Sequence, residues 1–169
     1  DWTQLNITSS SPSARQAHAM SSTGNKMTLF GGNDINQKAL NDTWMFDQIT
    51  NIWSKVKVKS TSPPARFWHA MTSLENSEKI LLFGGFNYAQ SLKDTWIFDP
   101  FTSKWTENTK LTTSPSPRYL HAMAPLGIEG NVILFGGYVG TIFNRETWIY
   151  DNKTREWKKI NTKHTSSSL

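Results

Sequence analysis

Three histidines occur in similar surroundings along the chain: His18 in ARQAHAM, His69 in ARFWHAM and His121 in PRYLHAM. Because neutral imidazole is a common metal ligand, three such side chains could form a metal centre. Equivalent positions on stacked sheets, however, lie roughly 10 Å apart, whereas the ligand nitrogens of a zinc site lie about 2.0–2.1 Å from the metal. We therefore predict no metal site and expect each histidine to have a structural hydrogen-bonding role.

An arginine lies three residues before each of these histidines, and an acidic residue lies two residues before a later tryptophan. These charged residues are Arg15, Arg66, Arg118, Asp42, Asp94 and Glu146. A guanidinium bonded to a carboxylate satisfies both groups when they are partly buried, and this arrangement fits their repetition. The alternative is that one of the arginines lies near a surface and binds an acidic ligand.

The chain shows no pattern typical of a catalytic centre. It contains no cysteine, which excludes disulfides and cysteine nucleophiles, and no nucleophile–base pair is visible. FGG occurs three times, but as turn residues rather than as a glycine-rich nucleotide loop. The net charge of +5 comes from scattered side chains, and the densest cluster is only Lys55, Lys57 and Lys59. We therefore predict no catalytic residue, no cofactor and no nucleic-acid partner.

The histidines and arginines belong to a segment that occurs three times with a period of 52 residues at nearly every position. Each copy continues from the Arg-x-x-His motif to a hydrophobic run that ends in two glycines, and then to two spaced tryptophans. These anchors are Gly31, Gly32, Gly84, Gly85, Gly136, Gly137, Trp44, Trp96, Trp148, Trp53, Trp105 and Trp157. Anchors of several classes that recur in the same order indicate a repeat architecture.

Each copy contains four short apolar runs of strand length, separated by turn residues. We name them a to d, and they predict a four-stranded antiparallel meander. One such sheet has two apolar faces that it cannot bury alone, so copies must stack face to face around an axis, as in an all-β propeller. The tryptophans and Phe30, Phe83 and Phe135 are expected to pack between the blades, and the glycine pairs to provide positive φ.

The chain resembles the kelch-repeat family in its paired glycines, its two spaced tryptophans and its Arg-x-x-His-Ala motif. The resemblance implies a kelch-type β-propeller, which usually has six and sometimes five or seven blades. We predict three repeats, at residues 10–60, 61–112 and 113–161. Residues 1–9, which contain Trp2 in DWTQLN, match the outer strand of a preceding blade followed by a linker, and residues 162–169 form a polar tail.

The presence of three repeats favours the interpretation that the chain is part of a larger, six-bladed propeller. The alternative is that two copies of the chain assemble into one ring. The predicted partners within the propeller are therefore the remaining blades of the same protein or a second copy.

Enzymes that resemble kelch propellers leave one further alternative. Galactose-oxidase-like copper sites need a Tyr–Cys crosslink, and the chain has no cysteine. The iron-dependent specifier proteins use a Glu-x-x-x-Asp-x-x-x-His cluster, which is not present. A carbohydrate-active or oxidase-like enzyme would then need catalytic residues in blades outside this chain.

Positions that differ among the three copies are free to serve function. In a meander the b to c loops and the d to a connections lie at the same edge, and both sets differ here. The predicted partner-binding residues at this face are Asn33, Asp34, Phe67, Trp68, Asn87, Tyr88, Tyr119, Tyr138, Phe143 and Arg145. Loop aromatics mixed with amides and an arginine are typical of a protein-binding hot spot, whereas the opposite face looks like a solvated surface.

The sequence thus predicts a non-catalytic scaffold or adaptor that binds another protein or peptide. The absence of cysteine favours the cytoplasm, although three Asn-x-Thr sequons leave secretion open. No apolar run is long enough to cross a membrane, so we expect no membrane contact.

Overall fold

The computed structural model describes residues 1–5, 10–59, 61–75, 77–127 and 129–161. These residues form strands and turns, with no helix. Blade 1 consists of β1 (Ala19–Thr23), β2 (Lys26–Phe30), β3 (Thr43–Asp47) and β4 (Ile52–Lys55). Blade 2 consists of β5 (Ala70–Leu74), β6 (Lys79–Phe83), β7 (Thr95–Asp99) and β8 (Lys104–Glu107). Blade 3 consists of β9 (Ala122–Pro125), β10 (Val132–Phe135), β13 (Thr147–Asp151) and β14 (Glu156–Ile160).

Each blade is an antiparallel sheet in which strands a to d lie in order. A short hairpin, β11 (Tyr138–Val139) and β12 (Ile142–Phe143), is inserted between the second and third strands of blade 3. The aspartate that ends each third strand stabilises the following turn: Asp99 Oδ1 accepts the N–H groups of Phe101 and Thr102 at 3.0 and 3.2 Å. The predicted all-β architecture of four-stranded blades is confirmed.

The alternation of side chains along β6 explains why the blades stack. Ile80 and Leu82 lie in a core shared with blade 1, and Leu81 and Phe83 lie in a core shared with blade 3. All four side chains are buried because the strand has a neighbour on each face. The innermost strands of the three blades also lie side by side. This arrangement is that of successive propeller blades, and the three blades do not close a ring.

The same contacts occur at both junctions between blades. Phe30 packs edge-on against Trp105 of blade 2, with ring centroids 5.1 Å apart. The indole N–H of Trp105 donates to Thr43 Oγ1 of blade 1 at 3.0 Å. At the next junction Phe83, Trp157 and Thr95 repeat both contacts at 5.2 and 3.0 Å. The strand-d tryptophans therefore join consecutive blades, as the repeats predict.

The prediction that Phe135 packs between blades is wrong for this chain. Its side chain is 55% exposed, whereas Phe30 and Phe83 are fully buried. Phe135 lies on the face of blade 3 that points away from blade 2, and none of the described strands packs against that face. Trp53, on the free face of blade 1, is likewise only partly buried.

The chain termini lie outside the blades. Residues 1–5 form no strand, and Trp2 is exposed. The assignment of residues 1–9 to a preceding blade therefore stays a prediction, and residues 6–9 and the predicted tail at 162–169 lie outside the described part of the chain. Within the described part, no helix has the length and apolar character needed to cross a membrane.

Candidate protein-binding face

The arginine that starts each repeat is bonded within its own blade. Arg66 donates to both carboxylate oxygens of Asp94 at 2.6 and 2.6 Å and to the carbonyl of Gly84 at 2.9 Å. The indole N–H of Trp96 donates to the same carboxylate at 2.7 Å. Because the Arg66 side chain has no exposed surface, the structure favours the predicted ion pair over the alternative of an acidic ligand.

The other two repeats contain the same network. Arg15 bonds to Asp42 at 2.6 and 3.0 Å, and Arg118 bonds to Glu146 at 2.7 Å. Burial acts to raise the pKa of Glu146, but hydrogen bonds from Lys159, Arg118 and Trp148 hold it at about 2. The arginine and carboxylate side chains therefore stabilise the blades, and their charges are already paired with each other.

The repeated histidines lie between blades rather than at a common centre. His69 packs edge-on against Phe30 of the preceding blade at 5.7 Å, and His121 packs in the same way against Phe83 at 5.5 Å. Both rings are buried, and neither nitrogen of either ring has a hydrogen-bond partner in the described residues. For His69 and His121 the predicted hydrogen-bonding role is therefore wrong and the rings act by packing, whereas for His18 the role stays a prediction.

Burial changes the protonation of these two rings. Burial and, to a smaller extent, the charge of Arg118 together lower the pKa of His121 to about 3. Burial and the charge of Arg66 likewise hold the pKa of His69 well below its usual value, and the backbone of Phe30 offsets part of this effect. Both imidazoles are therefore neutral at physiological pH.

We expect these histidines to make the folded chain less stable in mild acid. Protonation favours the unfolded chain, where the imidazole pKa is about 6.5, so their contribution is complete above that pH and decreases as the pH falls towards 3. At pH 5 the loss is about 2 kcal/mol for His121. Urea unfolding at pH 7 and pH 5 measures it, and His121→Gln should show a smaller pH dependence. If His121→Gln has the same pH dependence as the unchanged chain, burial of neutral His121 is not the cause of the lower stability in acid.

No group of three or more histidine, aspartate and glutamate side chains lies close enough to hold a metal ion within the described ranges. His69 and His121 are separated because each lies at a different blade junction.

Short backbone bridges bring the loops of one face together. Gln16 pairs with Asn33, Phe67 with Phe86, and Tyr119 with Tyr138. In each blade the d to a connection thus lies beside the b to c loop, as the meander topology predicts. The variable positions of the three repeats therefore share one face.

Seven rings on this face form a continuous group that we call the aromatic stripe: Phe67, Trp68, Phe86, Tyr88, Tyr119, Tyr138 and Phe143. Trp68 stacks on Tyr119 with ring centroids 5.4 Å apart and planes 19° apart. Tyr119 contacts Tyr138 at 5.3 Å, and Tyr138 contacts Phe143 at 5.1 Å. At the other end Phe67 joins Tyr88 to Trp68, each at 4.7 Å. The stripe runs across blades 2 and 3.

The members of the aromatic stripe differ in exposure. Phe67 is buried, whereas Trp68, Tyr88 and Phe143 are 39%, 48% and 84% exposed. Phe67 therefore packs beneath the exposed rings of the stripe. Phe86 is a member of the stripe that was not predicted, although its position next to the glycine pair, in the same loop as Tyr88, was a usable signal.

The polar residues predicted at this face stabilise loops. Asp34 Oδ1 accepts the N–H groups of Asn36 and Lys38, both at 2.9 Å. Asn87 Oδ1 does the same for its own loop, from Ala89 and Gln90. The remaining two differ: Asn33 is buried and donates to the Tyr88 hydroxyl at 3.2 Å, and Arg145 is exposed in the third loop.

An unusual backbone conformation orients Trp68. Its φ is 56°, and the equivalent residues Ala17 and Leu120 have φ of 56° and 58°. The N–H of Trp68 donates to the carbonyl of Ala17 at 2.9 Å, and the N–H of Leu120 donates to the carbonyl of Trp68 at 3.0 Å. These bonds link the blades and offset the cost of positive φ. The Trp68 ring is thereby fixed on a rigid backbone.

Residues 1–168 match the family model described as the KLHDC2/KLHL20/DRC7 Kelch-repeats domain. The chain belongs to the kelch-repeat family. Among curated relatives, it is 31% identical to Kelch domain-containing protein 2 of Bos taurus over 153 residues, which cover 90% of the chain and 37% of that protein. It is 35% identical to Kelch domain-containing protein 1 of Mus musculus over 139 residues, which cover 80% of the chain and 33% of that protein.

Host cell factor of Drosophila melanogaster is 30% identical over 173 residues, covering 90% of the chain and 11% of that protein. The kelch segment described here thus spans about a third of the two Kelch domain-containing proteins. The predicted resemblance to kelch repeats is confirmed.

Proposed function

We propose that this kelch segment is a non-catalytic protein-interaction module that binds a partner through the aromatic stripe. The observation that carries the proposal is the continuous group of rings, most of them partly exposed, on the face where the b to c and d to a loops of the three repeats differ. Tryptophan and tyrosine are enriched at the energetic centres of protein interfaces because they bury a large area and keep a polar group.

The residues that the three repeats share provide independent support for the proposal. The arginines, the acidic residues and the strand-c tryptophans of all three repeats are bonded within their blades, and Trp105 and Trp157 are bonded to the preceding blade. The residues that the repeats share therefore stabilise the fold, whereas the aromatic stripe consists of residues that the repeats do not share. No specific observation favours the alternative of a carbohydrate-active or oxidase-like enzyme.

The position of the aromatic stripe also supports a proposal for the cellular role. A module whose binding residues lie in loops on a rigid scaffold suits an adaptor that holds a partner in an assembly. The absence of cysteine supports the cytoplasm as its location.

The triple variant W68A/Y88A/Y138A tests the proposal. We expect it to recover at least about tenfold less of the partners that the unchanged chain captures from cell extract, since interface hot spots cost about 2 kcal/mol or more when truncated. The control is Phe101→Ala, which removes a more exposed ring from a c to d turn on the opposite face. Capture is quantified by mass spectrometry, and thermal unfolding must remain cooperative. Equal capture by the triple variant and the control would contradict the proposal.

A further inference from the structure

The exposed part of the aromatic stripe offers hydrogen-bond donors. The indole N–H of Trp68 and the hydroxyls of Tyr119 and Tyr138 form no hydrogen bond with any residue in the described part of the chain. The Tyr88 hydroxyl accepts from Asn33 Nδ2 at 3.2 Å, so its own hydrogen is free to donate. A ligand that covers these rings must supply acceptors for them, since buried polar groups without partners are costly.

Acceptors for a ligand are scarce beside the stripe. The stripe contains no carboxylate or amide side chain, and the nearby Oδ1 atoms of Asp34 and Asn87 accept backbone N–H groups of their own loops. Asn33 Oδ1 has no hydrogen-bond partner in the described residues, but it is buried. The face therefore offers flat rings and several donors, and its free acceptors are the tyrosine hydroxyl oxygens and Asp34 Oδ2.

We propose that the aromatic stripe binds a proline-rich segment of a partner protein in the polyproline II conformation. Such a segment exposes backbone carbonyls, its prolines have no N–H to satisfy, and their rings pack on aromatic side chains. The flat pair of Trp68 and Tyr119 suits these rings, and the indole and hydroxyl donors suit the carbonyls. At about 3.1 Å per residue, a segment of six residues extends about 19 Å, which is long enough to contact several of these rings. This inference rests on the proposed function and names the chemistry of the partner.

A sugar is a poorer match for the same surface. Sugars also stack on aromatic rings, but each hydroxyl is a donor as well as an acceptor. Bound sugars therefore need carboxylate or amide oxygens, and the Oδ1 atoms of Asp34 and Asn87 each already accept two backbone N–H groups, which leaves only Asp34 Oδ2.

Titration of the full chain with acetylated, amidated decaproline, followed by NMR of the tryptophan indole N–H groups, tests the inference. The Trp68 signal, assigned with Trp68→Phe, should shift on binding, because its N–H acquires an acceptor. Tyr119→Phe keeps the ring and removes only the donor, so it should weaken binding about 2- to 10-fold, as expected for one net hydrogen bond. Trp68→Phe removes the donor and part of the ring surface, so it should weaken binding at least as much. Phe101→Ala should bind decaproline like the unchanged chain.

Two comparison ligands distinguish the outcomes. A glycine–serine peptide of equal length and a soluble oligosaccharide should leave the Trp68 signal in place. If decaproline causes no shift while W68A/Y88A/Y138A still loses its captured partners, the proline-rich ligand is wrong and the interaction module stands. If capture also persists in the triple variant, both proposals fail. A shift caused by the oligosaccharide instead of decaproline would overturn the inference in favour of a carbohydrate ligand.

Discussion

Replacing Arg66 with alanine is expected to lower the free energy of unfolding by about 3–5 kcal/mol, the usual cost of removing one partner of a buried ion pair. The substitution leaves Asp94 without its bidentate partner and the carbonyl of Gly84 without its donor. It also removes a fully buried side chain from the edge of the blade. Urea unfolding at neutral pH measures the change.

Lys79→Ala is the matched control for Arg66→Ala. Lys79 also pairs with an aspartate of its own blade, but at 3.8 Å and largely in solvent, so its loss should cost less than about 1 kcal/mol. A cost for Arg66→Ala as small as that of the control would show that the buried network contributes little.

The pH dependence separates the charge of Arg66 from its packing. Burial acts to raise the pKa of Asp94, but the hydrogen bonds and charge of Arg66 lower it below its usual value. This contribution to stability is present above the usual carboxyl pKa of about 4 and is lost as the pH falls through the folded value. The difference between the original chain and Arg66→Ala should therefore shrink below about pH 4.

Much of the fold could be predicted because the residues that a blade needs at fixed positions occur three times in the sequence. A tryptophan that recurs with a glycine pair and an Arg-x-x-His motif identifies a blade even where single strands are short and ambiguous. The Arg66–Asp94 pair could be expected on the same ground, because a charge repeated in every copy serves the architecture.

The errors arose where a residue's surroundings depend on its place in the stack. A repeat pattern describes the environment of a middle blade, so it predicts burial for Phe135, which has no neighbour on its outer face. The histidines were assigned hydrogen bonds from their chemistry alone, but the space between two blades decides their role. The positive φ of Trp68 depends on backbone bonds between blades, which local sequence does not specify.

The candidate site was predictable in position but not in internal structure. Variable loops and strand direction placed the aromatic residues on one face, which the backbone bridges bear out. The stacking of Trp68 on Tyr119 joins two different blades, so it follows from the packing of the blades and not from either loop alone.

Replacing Gly84 with alanine is expected to cost at least about 3 kcal/mol of folding free energy, through two separable effects. Its φ is 64°, a conformation that costs an alanine about 1–2 kcal/mol. A Cβ at this position would also lie 2.6 Å from the carbonyl oxygen of Arg118, which belongs to the next blade. Since that contact is with backbone, the blades must separate to relieve it.

Gly136→Ala provides the matched control, because the same position in blade 3 has φ of 73° but only the carbonyl of Asn144 nearby, at 3.4 Å. It should show the conformational cost alone, about 1–2 kcal/mol. Gly31→Ala, with its Cβ 2.6 Å from the carbonyl of Arg66, should resemble Gly84→Ala. Equal costs at all three positions in urea unfolding would mean that close packing between blades is not the reason for the glycine.

The same three substitutions report whether another blade packs on the free face of blade 3. At both existing junctions the first glycine of a pair faces the arginine carbonyl of the following blade. If a longer polypeptide places a further repeat against Phe135 and Gly136, an arginine carbonyl of that repeat should approach Gly136 in the same way. Gly136→Ala should then become as costly as Gly84→Ala in that longer protein, while remaining mild in the chain described here. A cost that stays low in the longer protein would mean that blade 3 lies at the end of the stack there as well.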